Sequence, residues 1–156
     1  PSLIALTRQN LRPVRTGPAK SNLCARGAYR LKSAEAERKV ILIATGSEVE
    51  IALDVAAALE GQGVGADVVS MPSMELFDGQ DAAYRDDILP DVSNKQVLRV
   101  SIEAGTTFGW ERYTGLHGLK IGIDRFGASA PAKDLYEHFG LTSEAILPRI
   151  LEKLQA

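Results

Sequence analysis

Residues 40–63, VILIATGSEVEIALDVAAALEGQG, constrain this chain more than any other stretch. The apolar run Val40 to Ala44 is of the kind that is buried on both faces of a parallel sheet. A polar turn, Thr45-Gly46-Ser47, follows it. Beyond the turn, Ala52, Val55, Ala56 and Leu59 recur at three- and four-residue steps, the spacing of one helical face. Ser47 with Glu50 three residues on predicts a capping box at the helix start. Gly61 or Gly63 can take the left-handed conformation that ends the helix. A second strand, Ala66 to Ser70, begins at once, so the stretch predicts a β-α-β unit.

The same alternation runs through the rest of the chain. A short strand over residues 2–7 ends at Thr7-Arg8-Gln9-Asn10, and residues 11–27, with Pro13, Gly17, Pro18 and Gly27, lack periodicity. Residues 27–31 fit a short edge strand. After Ser70, Pro72 stops the strand, Ser73 caps a short helix, and Leu76 and Phe77 are expected to dock on the sheet. Residues 82–89 read as another short helix, 97–102 as a strand and 120–123 as the last strand. Pro131 suits a first helical position, Leu135 and Phe139 share a helix face, and Gly140 closes that helix. Thr142 caps a final helix carrying Ile146, Leu147, Ile150, Leu151 and Leu154, with Pro148 expected to bend it near Glu144. The fold class predicted is α/β: a three-layer sandwich with a mostly parallel, doubly wound sheet of about five strands.

At 156 residues the chain holds one domain's worth of sequence. It opens on Pro1 without Met and goes straight into strand-like residues, as a piece of a longer polypeptide would. The single cysteine, Cys24, excludes an internal disulfide and a cysteine-rich metal site, and makes the cytoplasm the default compartment. No apolar run approaches the length of a membrane span. The net charge of −2 is unevenly spread: Arg8, Arg12, Arg15, Lys20, Arg26, Arg30 and Lys32 meet no acid before residue 35. Such a basic stretch is a nucleic-acid arm, a phosphate-facing edge or a strap lying on an acidic neighbouring surface. With Tyr29 its only aromatic it offers no stacking series for bases, which favours the strap.

Candidate chemistry is sparse. Arg8 stands just past the carboxyl end of a strand, where open α/β sheets bind ligands, and a guanidinium there can grip a phosphate or carboxylate with two parallel hydrogen bonds. A charged strand end satisfies the same pattern. The Thr45-Gly46-Ser47 turn invites an anion at a helix start, yet it matches neither the dinucleotide glycine fingerprint nor the P-loop, and a plain strand-to-helix joint accounts for it. Glu103, at another strand end, lacks a partner carboxylate or histidine at fixed spacing and reads as a cap for the turn over 106–113. Phe108, Trp110 and Tyr113 form an aromatic cluster suited to packing. His117 and His138 have no companions for metal ligation, and Asp81, Asp86, Asp87 and Asp91 do not follow a calcium-loop pattern.

Taken together, Thr7-Arg-Gln-Asn-Leu11, Ile43-Ala-Thr-Gly-Ser-Glu-Val49, Val69-Ser-Met-Pro-Ser73, Glu75-Leu-Phe-Asp78, Tyr84-Arg85, Glu103-Ala-Gly105 and Gly122-Ile-Asp-Arg-Phe-Gly-Ala-Ser-Ala-Pro131 carry a resemblance. In order and spacing, over nearly the whole chain, they resemble the C-terminal end of the transketolases. The resemblance implies a thiamine-diphosphate enzyme of the pentose phosphate pathway and Calvin cycle that moves a two-carbon ketol unit from a ketose phosphate to an aldose phosphate. It also implies a divalent metal (Mg or Ca) and a homodimer, with the cofactor held between the N-terminal and middle domains.

On that resemblance, residues 1–10 hold the terminal strand of the preceding pyrimidine-binding domain, 11–33 a connector and 34–156 the C-terminal domain. The family's Ser/Thr-Arg-Gln-Asn arginine contacts the sugar phosphate, and it matches Arg8. No catalytic, cofactor-binding or metal-binding residue of the family falls in the segment, which has no Gly-Asp-Gly motif. It is therefore expected to be a scaffold that supports the dimer, inactive and without bound cofactor by itself. Its partners would be the N-terminal and middle domains, a second copy and sugar phosphates, with no nucleic acid or membrane. Deoxyxylulose phosphate synthase and the β subunit of a 2-oxo acid dehydrogenase share the architecture, but Thr-Arg-Gln-Asn with Phe-Gly-Ala-Ser-Ala-Pro resembles transketolase more. An anion-binding regulatory module using the Thr45-to-Ser47 helix start is the alternative of a different class.

Overall fold

A computed structural model of the protein describes residues 7, 9–15, 17, 21–90 and 97–155. The expected strand over 2–6, together with Arg8, Lys20 and Asp91, lies outside the described residues. The sheet has five strands, β1 (Tyr29–Lys32), β2 (Arg38–Ala44), β3 (Gly65–Ser70), β4 (Leu98–Ile102) and β5 (Leu119–Ile121), in the order β1-β3-β2-β4-β5. Strands β2 to β5 are parallel, and β1 runs antiparallel along the outer edge of β3. β1 is the edge strand expected over 27–31, displaced to Tyr29–Lys32. Six helices, α1 (Glu48–Glu60), α2 (Met74–Asp78), α3 (Ala82–Ile88), α4 (Glu111–Thr114), α5 (Ala132–Phe139) and α6 (Ser143–Gln155), are described around it.

The central strand β2 is buried from Val40 to Ala44, and its alternate side chains feed two separate cores. Val40, Leu42 and Ala44 face α1 and α6, where the predicted stripe Ala52, Val55, Ala56 and Leu59 meets Ile146 and Ile150. Ile41 and Ile43 face Phe77, Ile88, Trp110 and Tyr113, which come from or abut α2, α3 and α4. Helices on both faces of the sheet make three layers, as the sequence predicts. Burial, and next the hydrogen bond that the Tyr113 hydroxyl donates to Asp78 at 3.0 Å, pushes the Tyr113 phenol up to about 12.

Local chemistry sets the helix ends. Ser73 accepts from the Leu76 N–H at 3.2 Å, Asp81 from the Tyr84 N–H at 2.8 Å, and Thr142 from the Ala145 N–H at 3.3 Å. Between Gly61 and Gly63 it is Gly63, at φ +77°, that turns the chain out of α1. Glu60, at the end of α1, accepts from the N–H groups of Glu35, Ala36 and Ala66 at 2.9, 3.0 and 3.0 Å. Those bonds, the Ala66 one foremost, hold its carboxyl below the usual range and tie the β1–β2 turn to the start of β3. Gly27 crosses directly over α2: a Cβ there would lie 2.1 Å from the Phe77 nitrogen.

Several expectations are corrected. Ser47 and Glu50 form no capping box, because Ser47 already has helical backbone (φ −64°, ψ −29°) and its hydroxyl donates to Glu48 instead. The N–H groups of Glu48, Val49 and Glu50 bond the carbonyls of Thr45, Gly46 and Ser47, so the turn itself meets the donors that a cap would satisfy. Phe77 docks on the sheet, but Leu76 is 51% exposed. Phe108 is 88% exposed, apart from the buried Trp110 and Tyr113. Pro131 precedes α5 by one residue, and Tyr136, rather than Leu135, joins Phe139 against the core. As the sequence predicts, Pro148 lies inside α6; it is exposed, so water can reach the carbonyl that the proline leaves without a helical donor.

Candidate functional site

The sheet order fixes where a site can be. From β2 the chain crosses to β3 on one side and then returns to β4 on the other, so the carboxyl ends of β2 and β4 flank a topological switch point. The Thr45-Gly46-Ser47 turn leaves β2 there, and Glu103-Ala104-Gly105 leaves β4.

The chain's own side chains engage this region. Glu48, 5% exposed, accepts from the Ser47 hydroxyl at 2.8 Å and from the Tyr136 hydroxyl of α5 at 2.5 Å. Tyr136 Oη in turn accepts from Gln9 Nε2 at 3.3 Å. The Gln9 backbone N–H and Nε2 both donate to Thr7 Oγ1, at 3.3 and 3.2 Å. Burial, and next the bond to Glu48, raises the Tyr136 phenol above its ordinary value, which keeps it a donor to Glu48. Thus the segment on either side of Arg8 is tied to the start of α1 and to α5.

Three other acidic or histidine groups near the sheet's carboxyl edge are committed to local structure. Glu103 accepts from Trp110 Nε1 at 2.7 Å, a single side-chain anchor where sequence predicts a cap. Asp124 accepts from the Thr107 N–H at 2.8 Å, the Thr107 hydroxyl at 2.7 Å and the Thr106 hydroxyl at 3.2 Å. These bonds, the backbone one first, hold its carboxyl below the usual range and clasp the loop after β4 to the loop after β5. His138 Nε2 lies 3.0 Å from the Arg125 guanidinium. Among the described residues no group of three or more His, Cys, Asp or Glu is arranged to hold a metal ion.

The α1 start does not offer an anion site of its own. Its first-turn donors are used by the turn carbonyls, and the buried Glu48 carboxylate already supplies negative charge at the positive end of the helix dipole. A phosphate would meet that carboxylate at close range. The structure therefore supports the plain strand-to-helix joint.

Among the described residues the basic stretch is a strap, though over this domain's own acids and aromatics rather than a neighbouring surface. Arg12 pairs with Asp54 and lies 3.6 Å from Glu50, both on α1. Arg30 pairs with Asp67 at 3.0 Å and lies 3.5 Å from Asp87. The Arg26 guanidinium sits 3.7 Å from the Tyr84 ring centroid, and that of Arg15 lies 5.3 Å from the Tyr29 centroid.

Comparison with known proteins decides the family. A family model described as "Transketolase-like TK C-terminal domain" matches residues 27–142. The chain belongs to the transketolase family. It is 53% identical over 142 residues to the chromosomal transketolase of Cupriavidus necator, covering 91% of this chain and 20% of that protein. It is 48% identical over 156 residues to the transketolase of Rhodobacter capsulatus, covering 96% of this chain and 23% of the relative. The transketolase structure from Leishmania mexicana superposes with a TM-score of 0.74 at 40% identity, over 85% of this chain and 18% of that one. A split-gene transketolase described as an inactive beta4 tetramer shares the fold, with a TM-score of 0.72 at 20% identity over 95% of this chain and 48% of that one. The chain thus spans about a fifth of the length of the curated relatives it matches, and it is a C-terminal transketolase domain fragment.

Two of the transketolase motifs recognised in sequence, Thr7–Leu11 and Ile43–Val49, meet at this carboxyl edge. Thr7 and Gln9 on one side and the Ser47-Glu48 end of the β2–α1 turn on the other are joined by Tyr136 of α5. Neither the role of Tyr136 nor that of Glu48 was predicted from sequence. Glu48 did carry a signal: it falls on the helical stripe of Ala52, Val55, Ala56 and Leu59, a spacing that places its carboxylate on the buried face.

Proposed function

We propose that this chain serves as the C-terminal part of a transketolase that moves a two-carbon ketol unit from a ketose phosphate to an aldose phosphate in the pentose phosphate pathway. In that enzyme, residues 1–10 end the pyrimidine-binding domain and 11–33 connect it to the C-terminal domain, 34–156, the last residues of the connector adding β1 to the sheet edge. The segment acts as a scaffold that supports a cytoplasmic homodimer, and it reaches the reaction through Arg8. The Arg8 guanidinium binds the substrate phosphate, a dianion that a planar fork of N–H donors suits in shape and charge.

Thiamine diphosphate and its divalent metal (Mg or Ca) belong to the proposed whole enzyme, and the described residues do not fit them. Glu48, Glu103 and Asp124 are each bound to hydroxyl or N–H donors of their own chain, and no ligand cluster is present among the described residues. Cofactor binding and bond-making are therefore assigned to the N-terminal and middle domains.

The observation that carries this reading is the anchoring of Gln9, next to Arg8, on Tyr136 at the carboxyl edge of the sheet. Arg8→Ala in a full-length transketolase carrying this segment tests it. The loss of a charge-assisted contact, about 1.5–3 kcal/mol, raises KM for an aldose phosphate on the order of 10- to 100-fold. An unphosphorylated aldehyde acceptor is spared. Equal losses with both acceptors would remove the phosphate contact from the proposal.

A further inference from the structure

The hydrogen-bond chain beside Arg8 has a fixed direction. A carboxylate only accepts, so the single proton of the Tyr136 hydroxyl points to Glu48 and its lone pairs face outward. Gln9 must then present its NH₂ group, not its carbonyl, to Tyr136 Oη at 3.3 Å. The same NH₂ group reaches Thr7 Oγ1 at 3.2 Å, which closes a side-chain bridge from residue 9 to residue 7, across residue 8. Both amide donors of Gln9 are thereby used, one on the C-terminal domain and one on the far side of Arg8. Glu48, being buried, acts as the fixed end of the chain.

We infer that Gln9 is a positioning residue: the buried Glu48–Tyr136 pair orients its amide and, through it, fixes Thr7 and Gln9, the two chain neighbours of Arg8. The inference rests on the reading of Arg8 as the phosphate ligand and adds a role for the C-terminal domain in substrate affinity. Arginine loses much rotamer freedom when it binds a phosphate, and fixing the residues on either side of it beforehand lowers what remains to be ordered on binding.

The test uses a full-length transketolase carrying this segment, with Gln9→Met, Arg8→Ala and the double variant. Methionine keeps the length of the glutamine and removes both donors. Gln9→Met is expected to raise KM for an aldose phosphate about fivefold, the size of effect one ordinary hydrogen bond supplies. The kcat stays within about twofold, and an unphosphorylated aldehyde acceptor is unaffected, which a general loss of folding would not allow. In the Arg8→Ala background the same substitution adds nothing. If Arg8→Ala separates the two acceptors while Gln9→Met leaves both KM values unchanged, or raises both alike, the positioning role is wrong and the Arg8 reading stands. If Arg8→Ala itself penalises both acceptors equally, the phosphate contact fails and the positioning role fails with it.

Discussion

Trp110→Ala is expected to destabilise the 156-residue chain by about 4 kcal/mol, a large part of the stability of an ordinary domain. Trp110 is 2% exposed and lies in the core between the sheet and α2, α3 and α4. Its ring meets Tyr113 edge-on with centroids 6.0 Å apart, and its Nε1 donates to Glu103 at 2.7 Å. Alanine removes the buried area, leaves a cavity that the short helices around it fill only in part, and strips Glu103 of its donor. Urea unfolding followed by circular dichroism reads the shift, with the midpoint falling and the slope unchanged. A loss under about 1 kcal/mol would mean that this second core is not packed as described.

Asp67→Ala is expected to cost about 3 kcal/mol by the same measurement. One buried carboxylate on β3 accepts from Arg30 of β1 at 3.0 Å, Arg38 of β2 at 3.2 Å and the Ala34 N–H of the turn between them at 2.8 Å. Removing it leaves two cations facing each other and an orphaned backbone donor. Both guanidiniums keep some contact with water, which sets the expected cost at the lower end of the range for a broken buried pair. Arg30→Ala in the Asp67→Ala background should cost less than it does alone, because the repulsion it relieves offsets the contact it loses. Additive losses would show that the three groups do not act as a unit.

The elements that sequence predicts well are those set by short-range pattern. The run Val40–Ala44, the stripe Ala52, Val55, Ala56 and Leu59, and the caps at Ser73 and Thr142 depend on neighbours within a turn or a strand, and they stand as expected. The failures are long-range. Ser47 fits a capping box by spacing, but its hydroxyl is drawn to the buried Glu48 carboxylate, which Tyr136 of α5, 88 residues on, also bonds. Glu103 reads as a cap until Trp110, seven residues on, folds back over it. Leu76 and Phe77 are both apolar, and the packing of α2 against the second core, not local pattern, separates the buried Phe77 from the exposed Leu76. For the candidate site, Arg8 and its motif are legible as a resemblance. The link from Gln9 to Tyr136, 127 residues away, belongs to the folded topology and leaves no local signal.

The division of labour between this domain and the rest of the enzyme is tested most directly by titrating the purified 156-residue chain with thiamine diphosphate and magnesium in a calorimeter, alongside a ketol-transfer assay. No saturable heat and no turnover of sugar phosphates are expected. Stoichiometric binding of the cofactor, or turnover by this chain alone, would contradict the assignment of the chemistry to the N-terminal and middle domains.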